Sequence, residues 1–312
     1  MAVHKNLPGL IAATYTPLAD TGELNLAQVS PMVEWLIDQG ISGLYVCGST
    51  GEGMSLSTAE RKLVAGSFVQ ASAGRVPVLV QVGHNSLAEA CELATYAESV
   101  GANIVSATCP SYFKISSVPQ LVTCMAEIAG AAPNLPFYYY HIPALSGAKL
   151  DMAEFLRQGS RKIPNLTGIK FTEPSLHEFQ ECQELDGGRL DIVWGVDEML
   201  LAAIATGARA AIGSTYNVYA SVYHQVIDAF QRGDLVAARQ FQSIANEMIR
   251  TVYRHRFHPA MKQLLGMLGH SMGPCRLPQL PLGEAEIAVL RKEIGAIGFF
   301  DRAGQSVTSV KS

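Results

Sequence analysis

SVGANIVSATC, residues 99–109, is the stretch on which the reading of the fold turns. Gly101 closes a helical pattern, and a run of β-branched and small apolar residues starts directly after it, as expected where a helix ends on a left-handed cap and a buried strand begins. The same punctuation appears at Gly40 in DQGISGL and at Gly207 in ATGARAA. Outward from these points, strand-like runs occupy 10–17, 43–48, 76–83, 102–109, 135–142, 166–172, 191–196 and 208–214, with longer helical patterns between them. Eight strand and helix units in alternation predict a closed (β/α)8 TIM barrel rather than an open doubly wound sheet.

Beyond Gly233 the strand signal stops. Residues 234–257, 258–269 and 282–298 read as helices, so the chain divides into a barrel at 1–232 and a C-terminal helical extension and tail at 233–312. MGPCRLPQLP carries three prolines and reads as a rigid connector, while the polar tail DRAGQSVTSVKS reads as frayed. The 312 residues suit one large barrel with an appendage. Charged residues are 16% of the chain, against roughly 25% in ordinary soluble domains, which predicts much surface buried inside the chain or between subunits and favours an oligomer.

The net charge of −4 and the absence of a basic cluster argue against a nucleic-acid partner. No uncharged apolar stretch approaches the roughly 20 residues that span a bilayer, and MAVHKNLPGL lacks the apolar core of a signal peptide. The six cysteines are scattered with no CxxC, so neither a disulfide framework nor a zinc knuckle is indicated, and a reduced, cytoplasmic setting is the default.

In such a barrel, reactive groups gather at the C-terminal ends of the strands. Those ends here are CGSTGEG, TCPSYF, YYYHIPALSG, IKFTEP, WGVDE and IGSTYN. In LTGIKFT, alternation puts Gly168, Lys170 and Thr172 on one face and Ile169 and Phe171 on the other, so the apolar pair packs outward and Lys170 points into the barrel mouth. One reading is a lysine that snorkels to water. The other is a Schiff-base amine: with a pKa of about 10.4 only about 0.04% of a lysine is neutral at pH 7, and burial that lowers the pKa supplies nucleophile.

By the same alternation Tyr140 shares a face with Tyr138 and lies one strand from Lys170, where a phenol suits general acid/base work; Tyr138 and Tyr139 read as ordinary strand aromatics. Gly48, Ser49, Thr50, Gly51 and Glu52 turn out of the second strand, either to cap the next helix or to cradle a carboxylate. Asp197 and Glu198 after the seventh strand are solvated loop acids, binders of polyol hydroxyls together with Gly195, Ser214 and Thr172, or metal ligands; no histidine at ligand spacing supports a metal. His255 and His258, flanking Phe257, read as surface or interface residues, and Cys47 and Cys109 as small core fillers.

Together, GSTGE, Y-x-I-P at Tyr140 and G-I-K-x-T at Lys170 resemble the dihydrodipicolinate synthase and N-acetylneuraminate lyase family of class I, Schiff-base-forming aldolases. YYYHIPALSG, GVDE and GSTYN are similar to its lyase branch, and the resemblance runs from about Leu7 through MGPCRLP. It implies Lys170 as the imine-forming lysine, Tyr140 as the proton-transfer phenol, and Ser49 and Thr50 as the hold on a pyruvyl carboxylate, with Ser49 also relaying protons. Tyr112 would complete a relay between neighbouring subunits. Thr172, Gly195, Asp197, Glu198 and Ser214 would bind the hydroxylated part of a sialic acid. No metal or cofactor is implied, and the assembly would be a homotetramer.

Where the synthases carry an arginine for a second carboxylate this chain has Leu145, which cannot form that ion pair. An aldolase for another 2-keto-3-deoxy sugar acid, then dihydrodipicolinate synthase, are the enzyme alternatives. A catalytically idle pyruvate or sialic acid sensor is the non-enzyme alternative.

Overall fold

A computed structural model describes residues 7–303; the N-terminal six residues and the tail from Gly304 onward, including most of the segment expected to fray, lie outside the described residues. The strands are β1 (Gly9–Ala13), β2 (Gly43–Val46), β3 (Val78–Gln81), β4 (Ile104–Ala107), β5 (Phe137–His141), β6 (Leu166–Phe171), β7 (Asp191–Trp194) and β8 (Ala210–Gly213). Each pairs in parallel with the next and β8 returns to β1, closing a (β/α)8 barrel.

Every strand lies where the sequence predicts one, though shorter. Apolar composition continues past the last ladder pair because the loops dive into the mouth: Thr14, Tyr15 and Thr16 are buried beyond the end of β1. Gly40, Gly101 and Gly207 have φ of 75°, 84° and 107°, the left-handed caps that the opening pattern requires.

Helices α1 (Val29–Asp38), α2 (Thr58–Ser72), α3 (Leu87–Ser99) and α4 (Val118–Gly130) surround the first half of the barrel. A short α5 (Pro143–Ser146) precedes α6 (Met152–Lys162), α7 (Leu176–Glu184), α8 (Leu200–Ala205) and α9 (Tyr216–Gln231) around the second. The extension comprises α10 (Leu235–Tyr253), α11 (Phe257–Met267), α12 (Glu284–Ala296) and α13 (Phe299–Arg302). The helical pattern through RHRF is interrupted at Arg254–Arg256. Pro259, in the first turn of α11, has no N–H to offer the carbonyl of His255, so one helix cannot continue through. Among the described residues no helix is long and apolar enough to cross a membrane.

Side-chain parity divides the core in two. Ile11, Tyr45, Leu79, Tyr138, Tyr140, Val193 and Ile212 fill the barrel, whereas Ile169 and Phe171 join the larger layer between strands and helices. Phe171 stacks on Trp194 at 6.3 Å and meets Phe179 edge-on at 5.8 Å. That anchorage turns Lys170 inward, beside Tyr140 in the register of the β5–β6 ladder. Gly168 tolerates no Cβ, which would collide with the Asp191 carbonyl oxygen.

Truncating Phe171→Ala removes a wholly buried ring from the layer that orients β6. Urea unfolding should show a loss of about 3–5 kcal/mol, and a loss below about 1 kcal/mol would mean that β6 is held by something other than this packing.

Candidate active site

The C-terminal ends of the strands open into a cavity of about 300 Å³. Lys170, Tyr140, Ser49, Thr50, Thr172, Gly195, Asp197, Glu198 and Ser214 all line it, together with Leu145.

Lys170 is 4% exposed. Its Nζ lies 4.0 Å from the centre of the Tyr45 ring and 4.1 Å from that of Tyr140, and among the described residues it forms no ion pair. Aromatic faces attract a cation, but they do not replace its hydration. Burial therefore brings the lysine pKa from 10.5 down to about 7, with the charge of Asp197 opposing the shift. An amine in this state is substantially neutral at pH 7, which a snorkelling lysine is not.

The Tyr140 hydroxyl lies 3.4 Å from Ser49 Oγ. Burial pushes this phenol up to about 12, against the hydroxyls of Ser49 and Thr172 beside it, so it carries its proton at neutral pH. The Thr50 and Ser214 hydroxyls lie 2.6 Å apart and link the ends of β2 and β8 across the mouth.

Neither Ser49 nor Thr50 caps a helix: only a single 3-10 turn, Gly53–Ser55, follows directly, with Glu52 at its N-cap position and no side-chain cap bond. Helix α2 starts at Thr58 and is capped by Ser57, which accepts from the Glu60 N–H in a full capping box, so the helix-cap reading of GSTGE falls away. The turn is framed by two left-handed residues that are not glycine, Cys47 at φ 59° and Glu52 at φ 55°. At Gly53 a Cβ would collide with the Cys47 carbonyl. Thr16 Oγ1 donates to the Gly51 carbonyl at 2.6 Å and ties the turn to the end of β1.

Asp197 is 8% exposed and accepts from the Thr215 N–H at 2.9 Å and from Thr215 Oγ1 at 2.6 Å. Burial raises its carboxyl to about 6, opposed first by these two bonds and, less strongly, by Lys170. The carboxylate occupies space that a side chain at Gly213 would fill, and the Thr172 hydroxyl does the same over Gly195. Asp197 is therefore no solvated loop acid. Among the described residues no group of three or more His, Cys, Asp or Glu is placed to hold a metal ion.

Tyr112 is not in this cavity. It is 78% exposed and meets Phe113 edge-on at 5.1 Å, on a loop whose Ser111 and Tyr112 N–H groups donate to Asn85 Oδ1. His141 points away from the cavity, its Nε2 3.2 Å from Glu173 Oε2, as alternation requires. Cys47 and Cys109 are buried and free.

The two histidines of the extension part company. His255 Nε2 lies 3.1 Å from Glu293 Oε2 within the extension, whereas His258 is half-buried in the cavity wall and meets Tyr15 edge-on at 6.1 Å. The surface or interface reading of His258 is thus overturned. Ile249, Tyr253 and Phe257 line the same wall. No local pattern in these residues shows which side of a barrel their helices cover. Tyr45 was within reach: it has the inward parity of its strand.

With this geometry in place, comparison with known proteins identifies the family. A sequence model described as the dihydrodipicolinate synthetase family matches residues 6–297. The chain belongs to that family.

Among curated members, N-acetylneuraminate lyase A of Xenopus laevis is 41% identical over 281 residues, covering 88% of this chain and 91% of its own. The N-acetylneuraminate lyase of Gallus gallus is 36% identical over 302 residues, with 95% and 98% covered. Among solved family structures, the Proteus mirabilis N-acetylneuraminate lyase superposes with a TM-score of 0.92 at 38% identity, covering 95% of this chain and all of that one. The Aliivibrio salmonicida enzyme, a sialic acid aldolase, gives 0.92 at 38% identity, covering 95% and 98%. Within the dihydrodipicolinate synthetase family, the side chain at position 145 here is an uncharged leucine at the cavity rim, 62% exposed.

The depressed lysine has a measurable consequence for stability. Between about pH 7 and 10.5 the unfolded chain binds a proton at Lys170 that the folded chain does not, so stability rises with pH across that window, and the penalty is full below about 7. Lys170→Met should be more stable than the parent at pH 6.5 by urea unfolding. That gain should shrink towards pH 10.5, and an equal gain at both ends would contradict the assignment.

Proposed function

We propose that the protein is a class I aldolase that cleaves N-acetylneuraminate reversibly to pyruvate and N-acetylmannosamine through an imine on Lys170. Neutral Lys170 Nζ attacks the C2 ketone of the open-chain sugar, the C2–O bond breaks as water departs with Tyr140 supplying a proton, and a protonated imine remains. The C4 hydroxyl loses its proton to Tyr140, now a phenolate, or to the substrate's own carboxylate. The electron pair of the C3–C4 bond then flows into the imine, releasing N-acetylmannosamine as an aldehyde. The enamine left on Lys170 takes a proton at C3, and water hydrolyses the imine to free pyruvate and the amine.

The observation that carries this reading is Lys170 held between Tyr45 and Tyr140, with no counter-ion among the described residues, in a cavity also lined by Ser49, Thr50, Asp197 and Ser214. Ser49 and Thr50 are assigned to the pyruvyl carboxylate. Asp197, Glu198, Ser214, Thr172 and the backbone at Gly195 are assigned to the hydroxyls of the sugar. The uncharged rim at Leu145 favours a hydroxylated partner over one bearing a second carboxylate. The lyase names of the relatives point the same way. In this reading the lysine is the covalent catalyst and no cofactor is needed.

A small-molecule substrate, a cytoplasmic setting and a homotetramer complete the proposal. The exposed Tyr112 and Phe113 rings support assembly, since their apolar faces are uncovered in the single chain. In that assembly Tyr112 would reach a neighbouring subunit's site, and its relay role is proposed on that basis.

Borohydride reduction in the presence of pyruvate, followed by peptide mass mapping, should place the adduct on Lys170. An adduct elsewhere, or none, sinks the mechanism. Tyr140→Phe should lower kcat by about 10²–10⁴-fold while leaving the Lys170 adduct detectable. The substrate assignment rests on a separate measurement: faster turnover of shorter 2-keto-3-deoxy acids than of N-acetylneuraminate would reject it.

A further inference from the structure

One pair of opposite charges is buried where the mechanism makes no use of it. Lys262 Nζ and Glu52 Oε1 are 2.7 Å apart, and each side chain is 1% exposed. Such a pair is a poor source of stability, because desolvating both groups offsets most of their attraction, and apolar replacements of similar volume are often as stable. Its position is more informative. Glu52 ends the GSTGE turn and Lys262 comes from α11, outside the barrel.

Glu52 has a left-handed backbone without being glycine, a conformation that persists only where surrounding contacts hold it. Its side-chain carboxylate is held from the extension. Glu52 Oε1 is paired with Lys262, and its Oε2 accepts from the Arg276 N–H at 2.7 Å. Lys262 Nζ also donates to the Pro274 carbonyl at 2.9 Å, which joins α11 to the connector that carries Arg276. The Arg276 guanidinium in turn grips Glu60, in the first turn of α2, and the Gly22 carbonyl.

From Glu52 the linkage runs back into the cradle. Its N–H donates to the Ser49 carbonyl at 3.1 Å, and the Gly53 N–H donates to the Gly48 carbonyl at 3.1 Å. A shift of Glu52 therefore moves Ser49 and Thr50. On α11, His258 and Lys262 are one turn apart and share a face, so one helix supplies a side chain to the cavity wall and an ion to the end of the cradle turn.

We propose that Glu52 and Lys262 are positioning residues, whose buried pair clamps the left-handed end of the 47–53 turn so that the Ser49 and Thr50 hydroxyls meet the pyruvyl carboxylate. The inference rests on the assignment of that carboxylate to Ser49 and Thr50, and it makes the C-terminal extension part of the substrate-carboxylate site. The cradle presents neutral hydroxyls, and the cation nearby is already neutralised by Glu52. Affinity for the carboxylate is then set by where those hydroxyls point.

The test uses the full chain with Glu52→Gln and Lys262→Met together, which removes both charges and leaves neither unpaired. Trapping by borohydride is titrated with pyruvate. The half-saturating pyruvate concentration should rise about tenfold or more, while the limiting rate at saturation stays within about threefold of the parent. A merely structural role would reduce the fraction of protein that can be trapped and leave half-saturation unchanged, and that result overturns the proposal.

Thr50→Ala serves as the reference. If it leaves half-saturation unchanged, the cradle assignment fails and this inference with it; if it weakens pyruvate and the double variant does not, only the positioning role fails. Should the double variant not fold, Lys262→Arg keeps the charge but places a longer, forked group in a closed slot. It should raise half-saturating pyruvate by about threefold or more, and parental saturation in a folded Lys262→Arg protein would equally overturn the proposal.

Discussion

The ammonium of Lys170 gives up its water inside the barrel and meets the faces of Tyr45 and Tyr140 in exchange. A carboxylate in contact would restore the ordinary lysine pKa and keep the amine charged. The nearest claim on its charge comes from Asp197, and that carboxylate is engaged by Thr215 and seated over Gly213. The mouth is thus polar enough for a hydroxylated ligand, yet among the described residues no acid is paired with the amine. Tyr140 answers the same dry environment in the opposite sense: burial favours its neutral form, so one desolvated region yields a free amine and a protonated phenol.

Holding that balance is a matter of parity. In β6 an inward Gly168, Lys170 and Thr172 alternate with an outward Ile169 and Phe171, and a register slip of one residue would put the amine among the helices and Phe171 in the mouth. The outward layer opposes such a slip, because it would take Phe171 away from the rings of Trp194 and Phe179.

Much of this was legible in the chain. A glycine before each of several strands, the β-branched runs and the alternation within them were enough for eight strands and for the inward direction of Lys170 and Tyr140. These features are local, and local periodicity records them. The extension was less legible for a physical reason. An amphipathic helix shows that one face is covered, not by what, so Tyr253, Phe257 and His258 could not be placed on the cavity wall from pattern alone. The sequence pattern puts the break before α11 at 257–258, and the helical character of the residues around Arg254–Arg256, where it falls, blurs its position by a few residues. The turn at Ser49 and Thr50 resembled a helix cap in composition, while the true cap came at Ser57, eight residues beyond Ser49.

Gly168, Gly195 and Gly213 have something in common that a search for reactive side chains overlooks. At each, the site is made by matter left out: a strand carbonyl, a hydroxyl and a carboxylate sit where a Cβ would otherwise be. The barrel's chemistry is therefore partly subtractive, and its inheritance depends on absences as well as on a lysine and a tyrosine. At the strand ends, Gly195 and Gly213, a lineage could lose this activity by gaining one methyl group, with every reactive residue still in place. Related barrels that have fallen silent are best sought at these hollow positions, alongside the conspicuous lysine.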